Sequence, residues 1–372
     1  MIYAMLCFIL ALGCSTNIKL ITKVNSVLIF LFLSGAYSYG YDWIRYREYY
    51  ENVFLAGDTS TWLYEPGFSL IMFMTKSFSL DYQWVVITCS LILTINLYEF
   101  ALKNKYRNFC LFYCFCIFGF MEFAEQIRQG VAITFVLVST YYLSNEKNKK
   151  FVIYVLLASM FHVSSILCLA FWPLKKIYRK FNPVIITLIM VLIGGISIYA
   201  FKFIIENINL FGVSGFIAEK LQGYASSDGS DSGILSFGLL LNIMVICVAA
   251  LSTQVNRSHH YLAVFFSVFV IESKAISIAY RFSYYGYTFI YESFEWMYGL
   301  RKARIFNRLA LITILLVFAF KPLLNPVYRE IFNDYHSYWL SGIIPLPDFR
   351  EMRTERCSTL VDNGIQYCGD FK

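Results

Sequence analysis

The chain has 372 residues, of which 58% are hydrophobic, 19% aromatic and only 15% charged, with a formal net charge of +7. A soluble domain carries about 25% charged residues, so the composition excludes an ordinary water-soluble protein and describes a chain whose solvent is lipid. The positive balance does not mark a nucleic-acid partner, because Lys and Arg sit in short loops between apolar runs, where they set topology.

Apolar runs near the length of about 20 residues that crosses a bilayer as helix recur along the whole sequence. They predict spans at roughly 1–13, 25–40, 83–102, 108–122, 129–144, 183–205, 234–254, 261–279, 283–299 and 306–323. The expected fold class is all-α, a polytopic transmembrane helical bundle of about 10 to 12 spans. The first run lacks a basic leading region and a small-residue cleavage site, so it reads as a retained helix rather than a signal peptide.

Placing alternate loops on one side gathers Lys19 and Lys23, Lys103 with Lys105 and Arg107, Lys147 with Lys149 and Lys150, Lys175 to Lys180, Arg257, and Arg301 to Arg308. Basic loops stay in the cytoplasm. The opposite, outer side then receives loops 41–68 and 206–233, the turns near Arg128 and Arg281, and a C-terminal tail over 326–372, with residues 1–325 forming the membrane domain.

Two apolar stretches do not fit single crossings. Pro66 to Leu80 opens with Pro at a helix N1 position, but a crossing there would export Lys103, Lys105 and Arg107, so it is expected to be an outer interfacial or re-entrant helix. Phe151 to Leu174 lies between two basic loops and must enter and return, yet it is too short for two crossings. A pair of helices broken near Phe161-His162-Val163-Ser164-Ser165 is predicted. Non-helical backbone at membrane depth survives only where protein or a wet cavity satisfies it, which places His162 at a cavity.

Eight of the 10 cysteines (Cys7, Cys14, Cys89, Cys110, Cys114, Cys116, Cys168 and Cys247) lie in apolar segments and act as small hydrophobes. Cys357 and Cys368 stand in the polar tail and could close a disulfide in an oxidising compartment. The stretch 223–233 is turn-rich, and the tail is polar and interrupted by Pro326, Pro345 and Pro347; neither reads as a folded second domain. No metal-ligand spacing or cofactor motif is found, and none is expected.

Ionisable residues next to or inside spans are costly unless they face a cavity, which singles out Arg128, His162, Glu272, Lys274 and Arg281. Arg128 has two readings: an ion pair with the preceding Glu122 or Glu125, or, with Arg281, a bidentate clamp on a phosphate-bearing headgroup. Arg281 could equally be an interfacial anchor. His162 is either a packing histidine or a group for proton transfer or phosphate contact. The segment Tyr41-Asp42-Trp43-Ile44-Arg45-Tyr46-Arg47-Glu48-Tyr49-Tyr50, closed by Glu65-Pro66, interleaves aromatics with charges. It is either an interfacial aromatic helix or a saccharide platform, with Asp42 or Glu65 as a base. Pro66 fixes Glu65 at a helix entrance, which favours Glu65.

Taken in order, Asp42 with Tyr46, Glu65-Pro66-Gly67-Phe68, Ile127-Arg128-Gln129-Gly130-Val131-Ala132, Phe161-His162-Val163-Ser164-Ser165 and Arg281-Phe282-Ser283-Tyr284-Tyr285 resemble the EpsG family of exopolysaccharide and O-antigen polymerases, the Wzy-type membrane glycosyltransferases. The Arg-Gln and Phe-His-x-Ser elements are the most specific. The family pattern commonly has Ile-Ala after Arg-Gln, where this chain has Gly130-Val131-Ala132, and Gly before its early Asp, where this chain has Tyr41.

The resemblance implies a GT-C-like helical enzyme in the bacterial cytoplasmic (inner) membrane, with its active site facing the periplasm or cell exterior. It would move a growing glycan from undecaprenyl pyrophosphate onto a new lipid-linked repeat unit, without a metal. Its implied partners are the undecaprenyl-pyrophosphate-linked oligosaccharide, the lipid bilayer, a chain-length regulator and a flippase. Its implied site comprises Glu65, Asp42 and His162 as catalytic groups, Arg128 and Arg281 on the diphosphate, and Tyr46, Tyr284 and Tyr285 on the saccharide. A lipid-linked oligosaccharide transporter or an O-antigen ligase would share much of this chemistry, although a transporter built from inverted repeats finds no such repeat in the sequence.

Overall fold

The computed structural model describes residues 2–55, 57–180, 277–301 and 304–362, with isolated positions between 181 and 276; side chains at 178–180, 277–281 and 326 are not described. Apart from those isolated positions and 277–279, the loop 206–233 and the spans expected at 183–205, 234–254 and 261–279 lie outside the described residues, as do Cys247, Arg257, Glu272 and Lys274. The chain forms two compact units, one of residues 1–166 with 312 onward, the other of residues 167–311.

In the first unit, α1 (Ile2–Gly13), α2 (Lys19–Gly35), α5 (Tyr82–Lys103), α6 (Arg107–Phe118), α7 (Ile127–Ser144) and α8 (Asn148–Ser159) pack as a bundle. Every α6 residue from Asn108 to Phe118 is buried, as expected of a helix that is apolar all round. Cys110, Cys114 and Cys116 are buried among its rings. Shorter helices α3 (Tyr41–Glu48) and α4 (Pro66–Ser77) lie between α2 and α5 in the chain. The second unit contains α9 (Phe171–Lys180) and α10 (Ser277–Gly299), where Phe171 stacks on Phe289 at 3.7 Å. Helix α11 (Arg304–Ala319) leads back to the first unit.

The described residues are mostly helical, as expected, with one short strand pair besides. Of the crossings expected, two described helices are long and apolar enough to span a membrane, Tyr82–Lys103 and Arg107–Glu125. α2 stops at Gly35, short of the expected 40, because Ala36–Tyr37 (β1) pairs antiparallel with His336–Ser337 (β2). α6 continues past Phe118 as a π-helical turn over Gly119–Glu125. Pro66 does open α4, and the chain breaks after α8 at Met160–His162 before a 3-10 segment over Val163–Ala170.

The segment after Pro322 folds onto the first unit, through α12 (Pro326–Asn333), β2 and α13 (Phe349–Asp362). Tyr335 stacks on Phe32 at 4.9 Å and donates to its carbonyl at 2.7 Å. Tyr39 and Tyr41 donate to the carbonyls of Phe332 and Val327 at 3.2 and 3.0 Å. Arg356 is fully buried and pairs with Asp334, and Arg353 pairs with Glu48 at the end of α3. Cys357 is disulfide-bonded; Cys368, its expected partner, lies outside the described residues.

The bundle has two chemically different ends. At one, Asn17 binds the Lys105 carbonyl at 2.7 Å and the Arg107 amide at 2.9 Å, and Lys103 and Lys150 both lie over the Tyr142 ring. The other end carries α3, the start of α4, the start of α7 and the break after α8. There Gly130 is required by a close approach, since a Cβ would collide with the Glu122 carbonyl and sit 3.0 Å from the Phe123 Cα. Gly130→Ala is therefore expected to destabilise the fold by about 1–3 kcal/mol, the usual cost of overpacking, measured as a lower thermal midpoint of the detergent-solubilised protein.

Candidate functional site

The Glu65-Pro66-Gly67-Phe68 run builds the first wall. Pro66 occupies the first helical position, where its missing N–H is harmless, and the Gly67 amide donates to the Met160 carbonyl at 2.7 Å. A Cβ at position 67 would lie 2.8 Å from the same oxygen, so the glycine lets α4 start against the end of α8. Glu65 stands at the helix N-cap without capping it. Its Oε1 instead accepts from the Val163 amide at 3.3 Å, which ties it to the break that carries His162.

Arg128, on the first turn of α7, fills the space between these walls. Nη1 donates to Glu65 Oε2, and Nε donates to the Tyr46 hydroxyl at 2.9 Å. The guanidinium lies 4.3 Å from the Tyr64 ring centroid, 5.0 Å from Tyr46 and 5.8 Å from Phe68, a cation–π cage that suits a desolvated arginine. Tyr46 passes the chain of bonds onward, its hydroxyl donating to Asp42 Oδ2 at 3.0 Å. His162 bonds Ser164 Oγ through Nδ1.

The structure thus brings together Asp42, Tyr46, Glu65, Arg128 and His162, from four separate stretches of sequence. Tyr284 and Tyr285 are buried on α10 in the second unit; Arg281, expected at a turn between spans, instead lies within that continuous helix, which begins at Ser277, and its side chain is outside the described residues. The ion-pair partner of Arg128 is Glu65, not Glu122 or Glu125, the partners that sequence proximity suggested. The helix register explains this: Glu122 and Glu125 belong to the π-turn before α7, and both are buried.

Glu125 has another task. Both its oxygens accept from the Tyr41 amide, at 3.1 and 2.9 Å, and one also accepts from the Asp42 amide at 3.3 Å. A carboxylate at a helix N-terminus satisfies amides that have no partner within the helix. Gly40, at φ 139°, admits it, because a Cβ there would collide with Glu125 Oε2. Glu125 therefore aims the helix that carries Asp42 and Tyr46. No local sequence signal links residues 84 apart, whereas Tyr64 could have been found from its place beside Glu65-Pro66. Among the described residues no group of three His, Cys, Asp or Glu could hold a metal ion.

Burial pushes the Glu65 carboxyl up, but Arg128, then His162, and the Val163 amide outweigh it and hold Glu65 below its ordinary value of 4.5. Burial raises the Tyr64 hydroxyl to about 12 despite the opposing charges of Arg128 and Arg45. A depressed carboxylate stabilises the fold above its unfolded pKa, and that stabilisation is lost as pH falls through the lower folded value. Glu65→Gln is expected to lower stability at neutral pH by about 3 kcal/mol, since it leaves Arg128 without its counter-charge. It should also flatten the acid limb of stability below the ordinary glutamate range. Thermal unfolding of both proteins between pH 7 and 3 measures this; superimposable profiles would remove the pair from the account.

A family model described as the EpsG family matches residues 21–337, a range that contains all the elements meeting at Arg128. No curated protein and no solved structure matches the chain. The chain belongs to the EpsG family.

Proposed function

We propose that this chain is a multi-pass membrane glycosyltransferase that polymerises lipid-linked glycan repeat units at the outer face of the cytoplasmic membrane. The observation that carries the reading is the convergence of Asp42, Tyr46, Glu65 and His162 around the guanidinium of Arg128, at the end of the bundle away from Lys103, Lys105 and Lys150. Family membership supports a polysaccharide polymerase-like activity.

The membrane part of the reading is supported by a helix turned inside out. Leu20, Val24, Val27 and Leu31 form an exposed stripe along α2, while Thr22, Asn25 and Ser26 are buried. A helix in water presents the reverse pattern. Met5, Phe8 and Leu12 on α1 and Ile153, Leu156 and Leu157 on α8 are likewise exposed, on helices whose inner faces are also apolar.

In the reaction, an acceptor sugar hydroxyl attacks the anomeric carbon of the donor glycan, the bond to the carrier phosphate breaks, and the pyrophosphate leaves with the electron pair. The protein must take the hydroxyl proton and neutralise the growing diphosphate charge. Glu65 and Tyr46 occupy two of the five N–H donors of Arg128; the outer edge of the guanidinium serves the leaving group. A carboxyl held below its ordinary range and paired with arginine is a poor base, so Glu65 is the orienting counter-ion. Asp42, half-exposed and oriented by Tyr46, takes the proton. His162 contacts phosphate beside Glu65. Tyr64 and Tyr46 shape the saccharide path beside Arg128.

Asp42→Asn is expected to cut chain formation by about 10²–10⁴-fold, the range of general-base loss. Arg128→Lys should impair it because one ammonium cannot reproduce the planar fork, and His162→Ala should reduce it less. Complementation of a deletion strain, read as a glycan ladder on a gel with membrane abundance matched, checks all three. A polymerase defect leaves single repeat units attached; no attached units would indicate a ligase, and units trapped inside a transporter. Wild-type ladders from all three variants would overturn the site.

The same reading requires that a reporter active only outside the cytoplasm works when fused within the 41–68 loop or after α13, and fails after Lys149. Activity at Lys149 would invert the orientation.

A further inference from the structure

The tail contains a stretch unlike the rest of it. From Tyr338 to Pro347 there is no charged residue, whereas Asp334 and His336 precede it and Asp348, Arg350, Glu351 and Arg353 follow. Tyr338–Leu340 form a 3-10 turn, and the Leu340 carbonyl accepts from the amides of both Ile343 and Ile344, at 2.9 and 2.8 Å. This closes a compact tip. Ile343 is 83% exposed, Ile344 57%, and Trp339 and Leu340 44% each. A Cβ added at Gly342 would meet nothing within 4 Å, so the tip stands clear of the fold.

The base of this tip is fixed in place. β2 leads into it while paired to β1, which directly follows α2. Trp339 Nε1 donates to Ser34 Oγ at 3.1 Å, and its ring packs on Gly35, the last residue of α2. The Tyr338 hydroxyl donates to Asp81 Oδ2 at 3.3 Å, and Asp81 is the residue before α5. The tip is therefore anchored where α2 ends and α5, a membrane-length helix, begins. Exposed apolar side chains continue away from that level on both helices: Leu31 one turn back from Gly35, and Trp84 and Leu91 along α5.

We propose that residues 338–345 form a membrane-inserted wedge, with Leu340, Ile343 and Ile344 in the acyl region of the outer leaflet and Tyr338 and Trp339 at the headgroup level. This rests on the membrane reading above. The occupant is lipid because the tip continues the apolar stripe of α2 and the exposed face of α5, and because aromatic residues sit at its base, the level they favour at a membrane interface. A protein-docking tip would be expected to carry charged groups around its apolar centre; this one has none between Tyr338 and Pro347.

The wedge acts on the site through rigid links. Just beyond it, Phe349 receives the Arg47 guanidinium at 4.2 Å and Arg353 pairs with Glu48, both on α3. α3 also carries Asp42 and Tyr46. Insertion of the tip thereby sets α3 at the depth where the phosphates of a lipid-linked substrate lie.

A dansyl-bearing amino acid placed singly at positions 343, 91 and 350 of the full-length protein, reconstituted in vesicles of phosphatidylethanolamine and phosphatidylglycerol, tests this. Nitroxide-bearing lipids should quench positions 343 and 91 about twofold or more, while iodide spares them, as for residues in the acyl region. Position 350, exposed in the same tail, should show the opposite. Quenching of position 343 by iodide at the level of position 350 would place the tip in water and overturn the wedge. Protection of position 343 from both quenchers would mean that protein covers it, which overturns the wedge equally. If position 91 also escapes nitroxide lipids, the membrane reading itself fails and the wedge falls with it; a quenched position 91 beside an unquenched position 343 sinks the wedge alone.

Discussion

A guanidinium withdrawn from water has to be matched on every side, and Arg128 imposes that demand on the end of the bundle around it. With 17% of its side chain exposed, it draws in a carboxylate, a phenol hydroxyl and three aromatic faces. These come from two pieces of local structure, α3 and the 64–68 run, and the second is tied in turn to Val163. Glu65 needs Pro66 and Gly67 to start α4 at the right place, Tyr46 needs α3, and Val163 needs α8 to end before it. The packing of the site follows from satisfying one cation, because an unpaired charge there would cost several kcal/mol.

That arrangement is supported from outside the site. α3 is held at its N-terminus by Glu125 and at its C-terminus by Arg353, so a helix of 8 residues, too short to be stable alone, keeps Asp42 and Tyr46 in register. The π-turn over Gly119–Glu125 delivers Glu125 to this task and brings its own backbone against α7 at Gly130. Such turns frequently mark functional sites. Gly130 is accounted for by that contact rather than by the chemistry of the neighbouring Arg128.

Much of this was legible in the residues themselves. Pro66 announces a helix start through its missing N–H, the basic loops sort the ends of the helices, and Phe151–Leu174 is too short to cross twice, which forces a break near His162. Arg128 and Glu65 stand out because ionisable groups in apolar surroundings need partners. Their pairing with each other was not legible, since a sequence offers Glu122 and Glu125 as nearer candidates and does not display the π-turn that turns them away. The docking of the tail was hidden for a related reason. Its polar composition and prolines suggest loop, while what orders it, a two-residue strand pair and ion pairs to α3, involves partners about 300 residues distant.

The strand pair between Ala36–Tyr37 and Ser337–His336 has a consequence for biosynthesis. A chain made from its N-terminus releases α3 long before the tail that clamps it, with Glu48 and Arg353 305 positions apart. Contacts of such separation close late, because the intervening chain must be ordered first. Until Arg353 has been made, α3 lacks its C-terminal clamp and the helix that carries Asp42 is incompletely held. A chain lacking Arg353 therefore lacks the clamp on the helix that sets Asp42 and Tyr46 beside Arg128 and Glu65.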